Sequence, residues 1–142
     1  MHVPALYTLD DRSVTGFDRI DSQHIRIAAV CRDLDAALAA ADFDTAYRIF
    51  LDLFDTLLDH FETEEEVIAR YARNPEVQKH LYRHRANHQI VREHLSEARR
   101  AFLDAARTTR RIPDLVSLAP RAYFDQMKDV DAEMTALLAR YR

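Results

Sequence analysis

The chain has 142 residues, 48% of them hydrophobic and 31% charged, which is enough for one ordinary globular domain. A single glycine and four prolines leave few residues for tight β-turns, so an all-β architecture is nearly excluded. The formal net charge of -4 offers no broad positive field for a phosphate backbone, and we expect no nucleic-acid partner. The lone Cys31 rules out an internal disulfide and a cysteine-rich zinc site.

The sequence also lacks the features of a membrane protein. No apolar run approaches the roughly 20 residues that cross a bilayer, and the first residues lack the apolar core of a signal peptide. Because a single cysteine also fits a reducing compartment, we expect a cytoplasmic protein with no membrane partner.

Apolar side chains recur in alternating steps of four and three residues, the spacing that places them on one stripe of a bundled helix. Four such segments follow an aperiodic start of the chain. Long helices with short connections favour an all-α, up-down-up-down antiparallel four-helix bundle with an extended N-terminal arm. Residues 1–142 are interpreted as one domain with an arm at 1–17 and helices at about 18–41, 44–72, 76–107 and 113–141. Asp44 is predicted to cap the second helix.

Each apolar stripe is interrupted by side chains that a hydrophobic core excludes. These residues are His24, His60, Glu64, His84, His88 and Asp131. Because antiparallel neighbours mirror each other about their turns, we expect those on the first three helices to lie at one depth. Burial of two unpaired carboxylates costs several kcal/mol, so the pattern predicts a compensating cation.

The types and spacing of these side chains indicate which metals fit. Imidazoles with carboxylates and no thiolate suit iron, manganese, cobalt or zinc. Residues four apart, such as His60 with Glu64 and His84 with His88, project from one face of a helix and can reach one cluster. Two divalent cations, two carboxylates and one hydroxide sum to a net charge of about +1, so most of the buried charge cancels, which favours a dinuclear centre.

Four short motifs resemble those of the hemerythrins, specifically the single-domain bacterial members. They are Phe17-Asp18-Arg19-Ile20-Asp21-Ser22-Gln23-His24, His60-Phe61-Glu62-Thr63-Glu64-Glu65, His84-Arg85-Ala86-Asn87-His88, and an altered closing motif, Gln126-Met127-Lys128-Asp129-Val130-Asp131. Each motif alone is a weak signal, but the four occur in the family's order and on the expected helices. The resemblance therefore covers nearly the whole chain.

The resemblance implies two non-haem iron ions bridged by an oxo or hydroxo group and by the carboxylates of Glu64 and Asp131. One iron would take His24 and His60 and keep an open position for dioxygen. The other would take the two histidines of the third motif and a histidine of the fourth helix. The expected function is reversible dioxygen binding for storage, delivery or sensing, which needs no catalytic residue.

Two departures from the family pattern leave the ligand set open. Gln126 stands where the closing motif has histidine, so its amide oxygen is a doubtful ligand, and a water molecule or an open position is the alternative. His80 forms a second HxxxH pair with His84. The apolar stripe favours His88 over His80, and the two cannot share one metal because about 12 Å of helix separates them.

Three further alternatives stay open. An extra open iron position would suit a diiron enzyme that reduces peroxide or nitric oxide, or that oxidises a substrate. Without metal, the chain would be a helical interaction module, although its residues identify no protein partner. A slip of register on the fourth helix would put Asp129 in place of Asp131, but Asp129 lies off the apolar stripe.

Overall fold

The computed structural model describes residues 7, 9, 13–104 and 112–141, without the side chains of Gln126 and Lys128. Within these ranges every regular element is helical. The elements are α1 (Asp18–Ala39), α2 (Phe43–Ala69), α3 (Pro75–Leu103), α4 (Ile112–Gln126), a π-helical segment (Met127–Asp131) and α5 (Ala132–Leu138). Because α4, the π-helical segment and α5 follow one another directly, they form the fourth helix of the fold.

Helices that are neighbours along the chain are also neighbours in space. α1 packs against α2, α2 against α3, and α3 against α4, while α1 also contacts α4. Residues 40–42 connect α1 to α2, and residues 70–74 connect α2 to α3, so these pairs run antiparallel. The prediction of an all-α four-helix bundle is confirmed. In the described part of the chain, no helix is long and apolar enough to cross a membrane.

Capping side chains fix where α2 and α3 begin. The Asp42 carboxylate accepts a hydrogen bond from the Thr45 backbone N–H, so Asp42 caps α2. The prediction of Asp44 was wrong, because the helix begins before it and Asp44 lies inside the first turn. Asn74 caps α3, and Pro75 occupies the first helical position, where no backbone donor is needed.

The interior holds two apolar clusters, one towards each end of the bundle. On α1, Ile20 belongs to the smaller cluster and Ile27 to the larger one, with the buried His24 between them. The other helices repeat this order of apolar, polar and apolar side chains. A buried polar layer therefore separates the clusters, and it consists of His24, His60, Glu64, His84, His88 and Asp131.

The fourth helix changes form beside this layer. From Met127 to Asp131 it is π-helical, so its hydrogen bonds join residues five apart instead of four. The sequence pattern gave no indication of this segment, since the apolar steps continue through it. α5 ends at Leu138, whereas the periodicity predicts a helix to about residue 141.

Parts of the predicted arm and linker lie outside the described residues. These parts are residues 1–6, 8 and 10–12 of the arm, the expected end of the third helix at 105–107, and the connection to residue 111. Of the arm, Tyr7 is buried and packs on Phe124, with ring centroids 5.3 Å apart. Ser13 is also buried and lies near the polar layer.

Candidate metal centre

Side chains from all four helices converge in the polar layer. They form two groups, and within each group the possible ligand atoms lie within 4.8 Å of one another. The first group is His24, His60 and Asp131, and the second is Glu64, His84 and His88. The structure thus brings together every histidine and carboxylate that the sequence pattern singled out on the apolar stripes.

The two carboxylates lie between the two groups of imidazoles. Asp131 directs Oδ2 towards His24 Nε2, at 3.2 Å, and Oδ1 towards His84 Nε2, at 3.8 Å. Glu64 places Oε1 at 2.6 Å from His60 Nε2 and Oε2 at 3.5 Å from His84 Nδ1. Each carboxylate therefore has contacts on both sides, which is the placement that a ligand shared by two cations requires.

Hydrogen bonds orient two of the imidazoles from outside the cluster. Nδ1 of His24 lies 2.7 Å from the backbone carbonyl oxygen of Ser13, and Nδ1 of His60 lies 2.8 Å from the amide oxygen of Gln23. An acceptor at Nδ1 keeps the ring proton there and leaves the lone pair of Nε2 directed at the cluster. Outer partners of this kind orient metal-binding histidines in proteins generally.

The two buried acids differ in how they hold a proton. Burial alone would raise the pKa of Glu64, but the imidazole of His60 and its neighbours outweigh burial and hold that pKa well below its usual value. Burial, reinforced by the charge of Glu64, raises the pKa of Asp131 well above its usual value. The site therefore resists a second negative charge unless a cation offsets it.

The imidazoles of α3 also differ from each other. Burial alone would lower the pKa of His88, but hydrogen bonds with Glu64 and Glu65 raise it to about 9. Burial lowers the pKa of His84 to about 4. At neutral pH the metal-free cluster thus holds a charged His88 beside a neutral His84, and a metal that binds His88 must displace its proton.

Buried polar atoms without hydrogen-bond partners indicate whether the cluster is suited to hold a cation. Among the described residues, buried atoms of the cluster without a hydrogen-bond partner are His24 Nε2, His84 Nε2, Glu64 Oε2 and Asp131 Oδ2. Such atoms are uncommon, because folded proteins pair nearly all of their buried polar groups. Imidazole nitrogens and carboxylate oxygens are ligands of divalent transition metals, so the residues present fit a metal centre.

The remaining candidates lie outside the two groups. His80 is buried and its ring meets that of His84 at 4.7 Å between centroids, but none of its atoms belongs to either group. Asp129 is exposed, so the carboxylate in the polar layer is that of Asp131. The side chain of Gln126 is outside the described part of the structure, and its role as a ligand stays a prediction.

Two side chains that contact the cluster, Tyr123 and Gln23, were not predicted from the sequence. The hydroxyl of Tyr123 lies 2.9 Å from His60 Nε2, and burial raises the pKa of this hydroxyl well above its usual value. Tyr123 lies one helical turn before Gln126, and this spacing is the sequence feature that could have indicated its place at the cluster. Gln23 stands inside the first motif beside a candidate ligand, but it was given no role.

The fold and the cluster together define a helical-bundle protein with a buried metal site of histidines and carboxylates. Comparison with family models gives the same class, since the model of the hemerythrin HHE cation binding domain matches residues 15–139. The chain therefore belongs to the hemerythrin family, as its motifs predicted, and it is a metal-binding protein. No curated protein and no solved structure matches the chain in the other comparisons.

Proposed function

We propose that this protein holds two iron ions between its helices and uses them to bind dioxygen reversibly, for storage, delivery or sensing. The observation that carries the proposal is the position of Asp131, whose two oxygens face His24 on one side and His84 on the other. A carboxylate so placed suits a pair of metals better than a single one. Family membership supports a cation site in the same place.

The two groups of side chains would divide the metals between them. His24 and His60, with Asp131, would hold one iron, and the resemblance to the hemerythrins implies that this iron keeps the position for an external ligand. The second group, Glu64 with the two α3 histidines, would hold the other iron. Gln126, or water in its place, would complete the second set of ligands.

Iron is favoured over zinc, because dioxygen binding requires electrons from the site, and the family resemblance implies iron among the redox-active metals that these ligands suit. Zinc has no redox chemistry, so zinc would fill the cluster without supporting the function. Two ferrous ions held by these histidines and carboxylates would supply the electrons for dioxygen binding.

The protein's own contribution is to keep the pocket at the cluster small, with the apolar side chains of Met127 and Val130 among its walls. A cavity of about 10 Å³ lies among Glu64, His88 and Tyr123, close to the smallest volume that holds one water molecule. The Phe61 ring stacks on His88 with centroids 4.1 Å apart and covers that side. Such walls exclude bulk water and limit side reactions of a bound small molecule.

A diiron enzyme that reduces peroxide or nitric oxide is the second candidate. The observation that favours it is the Tyr123 hydroxyl, a group that carries a proton and lies 2.9 Å from His60 Nε2. A proton donor in the pocket would assist reduction of a bound ligand. The third candidate, a helical interaction module, would hold no metal at all.

Spectroscopy of the iron-loaded protein tests the proposal. Protein loaded with ferrous salt under nitrogen is exposed to air and then purged, while the visible absorption of the site is followed. Reversible binding predicts a coloured adduct that disappears on purging and returns with air over several cycles. Oxidation in one irreversible step, with turnover of added peroxide, would favour the enzyme instead. Protein loaded with zinc is the matched control and should show no change.

A further inference from the structure

Tyr123 brings a buried hydroxyl to the metal cluster. Its side chain is 4% exposed, and its ring meets that of His60 almost at a right angle, with centroids 5.5 Å apart. The hydroxyl oxygen lies 2.9 Å from His60 Nε2, and the residue lines the small cavity together with Glu64 and Asp131. The phenol group therefore points into the space between the candidate ligands.

The direction of this hydrogen bond follows from the other side of the imidazole. The amide nitrogen of Gln23 donates to Thr63 Oγ1 at 3.0 Å and to Asp59 Oδ2 at 3.3 Å. Gln23 consequently presents its oxygen to His60 Nδ1, at 2.8 Å, and that nitrogen must carry the ring proton. In the neutral ring Nε2 is then an acceptor, so the Tyr123 hydroxyl is the donor, and the carboxylate oxygen Glu64 Oε1, 2.6 Å from the same nitrogen, is a second acceptor that faces it.

A metal and Tyr123 compete for the same lone pair. His60 Nε2 has one lone pair, and a metal bound there leaves none to accept from the phenol. A buried hydroxyl without a partner is unfavourable, so Tyr123 needs a new acceptor when metal is bound. The cavity that Tyr123 lines lies among Glu64, His84, His88 and Asp131, and a small external ligand in it would offer the phenol a new acceptor besides the two carboxylates.

We propose that in the metal-loaded protein Tyr123 donates its hydroxyl hydrogen to the small ligand that occupies the cavity lined by Tyr123 itself, and so favours ligands with a strong acceptor atom. This inference rests on the metal site of the proposed function but not on the reversible binding of dioxygen. Tyr123 is thus a residue that determines ligand preference and not a metal ligand. The carboxylates of Glu64 and Asp131 are the competing acceptors.

Azide, a small anion with strong acceptor atoms, is a suitable probe for the oxidised, iron-loaded protein. Visible titration gives the azide dissociation constant of the wild type and of Tyr123→Phe, which removes the hydroxyl and keeps the ring. Loss of a hydrogen bond to a charged ligand predicts an increase of about ten- to one-hundred-fold in that constant. Tyr82→Phe, at a tyrosine that is 61% exposed, is the matched control and should leave the constant unchanged.

Two further measurements separate this role from a structural one. Iron content and melting temperature of Tyr123→Phe should equal those of the wild type, and the infrared stretch of bound azide should shift between the two proteins. In the wild type alone, the stretch should also shift when water is exchanged for deuterium oxide. If Tyr123→Phe left the azide affinity unchanged, the Tyr123 hydroxyl would donate to a carboxylate instead of to azide, and the proposal would be overturned. Loss of iron, or of a phenolate-to-iron absorption band, would make Tyr123 a ligand and also overturn it.

Discussion

The side-chain amide oxygen of Gln23 lies 2.8 Å from Nδ1 of His60, and this contact joins α1 to α2 at the metal cluster. Because the Gln23 amide nitrogen donates to Thr63, the amide cannot turn around without losing that bond. The contact therefore fixes both the ring orientation of His60 and the position of its proton. A residue of α1 thus prepares an imidazole of α2 for metal binding.

Removal of this contact is expected to weaken metal binding. Gln23→Ala frees the His60 ring to rotate or to change tautomer, and loss of comparable partners lowers metal affinity roughly ten- to one-hundred-fold. Competition with a chelator measures the affinity. Gln89→Ala changes an exposed glutamine of α3 and is the matched control. Equal affinities for the two variants would contradict the role assigned to Gln23.

The choice between the two HxxxH pairs of α3 can be tested by two alanine variants. His88 belongs to the group with Glu64 and His84, whereas His80 belongs to no group. We expect His88→Ala to lose about half of the bound metal, since one group is broken, and His80→Ala to keep all of it. Metal analysis gives the contents, and circular dichroism verifies that both variants fold. Metal loss in His80→Ala alone would reverse the assignment.

A histidine at position 126 is expected to strengthen the second iron site. The π-helical turn that follows places position 126 about one turn before Asp131, on the helix that faces His84. Gln126→His would add a third imidazole, and we expect slower iron loss to a chelator. Gln89→His adds an exposed histidine and controls for non-specific binding. An unchanged rate would show that the site has no vacancy there.

Metal affinity should rise with pH in the range set by His88. Hydrogen bonds with Glu64 and Glu65 raise the pKa of His88 to about 9 against burial, so its proton must leave when a metal binds at lower pH. Below this pKa the proton of His88 should make the affinity increase by about ten-fold per pH unit, the raised pKa of Asp131 should steepen the increase wherever that carboxyl is still protonated, and the contribution of His88 should end at about pH 9. The dependence of metal affinity on pH is measured by zinc titrations in competition with a chelator whose protonation constants are known.

Glu65→Gln provides the corresponding variant. It removes a charge that raises the pKa of His88, so the rise of affinity with pH should end at a lower pH than in the wild type. Glu66→Gln, at an exposed neighbour, should behave as the wild type does. If the pH dependence of Glu65→Gln matched that of Glu66→Gln, the His88–Glu65 contact at 3.2 Å would not control the proton.

The residues of the cluster were predictable because helical periodicity is a local property of the sequence. His24 and Asp131 stand on apolar stripes whose neighbours bury them, so the stripe alone places them in the interior. The mirror relation between antiparallel helices then indicates a common depth for the residues of the first three helices. The same reasoning separated Asp131 from the exposed Asp129.

The contacts that surround the cluster were not predictable in this way. Tyr123 and His60 are joined across the bundle, and the stripe of the fourth helix passes through Phe124 instead. The contact of His24 with Ser13 is made by a backbone carbonyl, which every residue has, so the amino-acid sequence does not indicate it. The sequence pattern also gives no indication of the π-helical segment, because apolar steps of three and four continue across it. Such features depend on how helices rotate against one another, which periodicity does not determine.

Iron content of the folded wild-type protein is the most direct test of whether the buried cluster is a dinuclear metal site. The protein is loaded with ferrous salt under nitrogen, passed through a desalting column, and analysed for iron and protein, with circular dichroism recorded on the same sample. We predict about two irons per chain, bound by the imidazoles and carboxylates between the helices. A helical, folded sample that retained no iron after desalting would contradict the central claim.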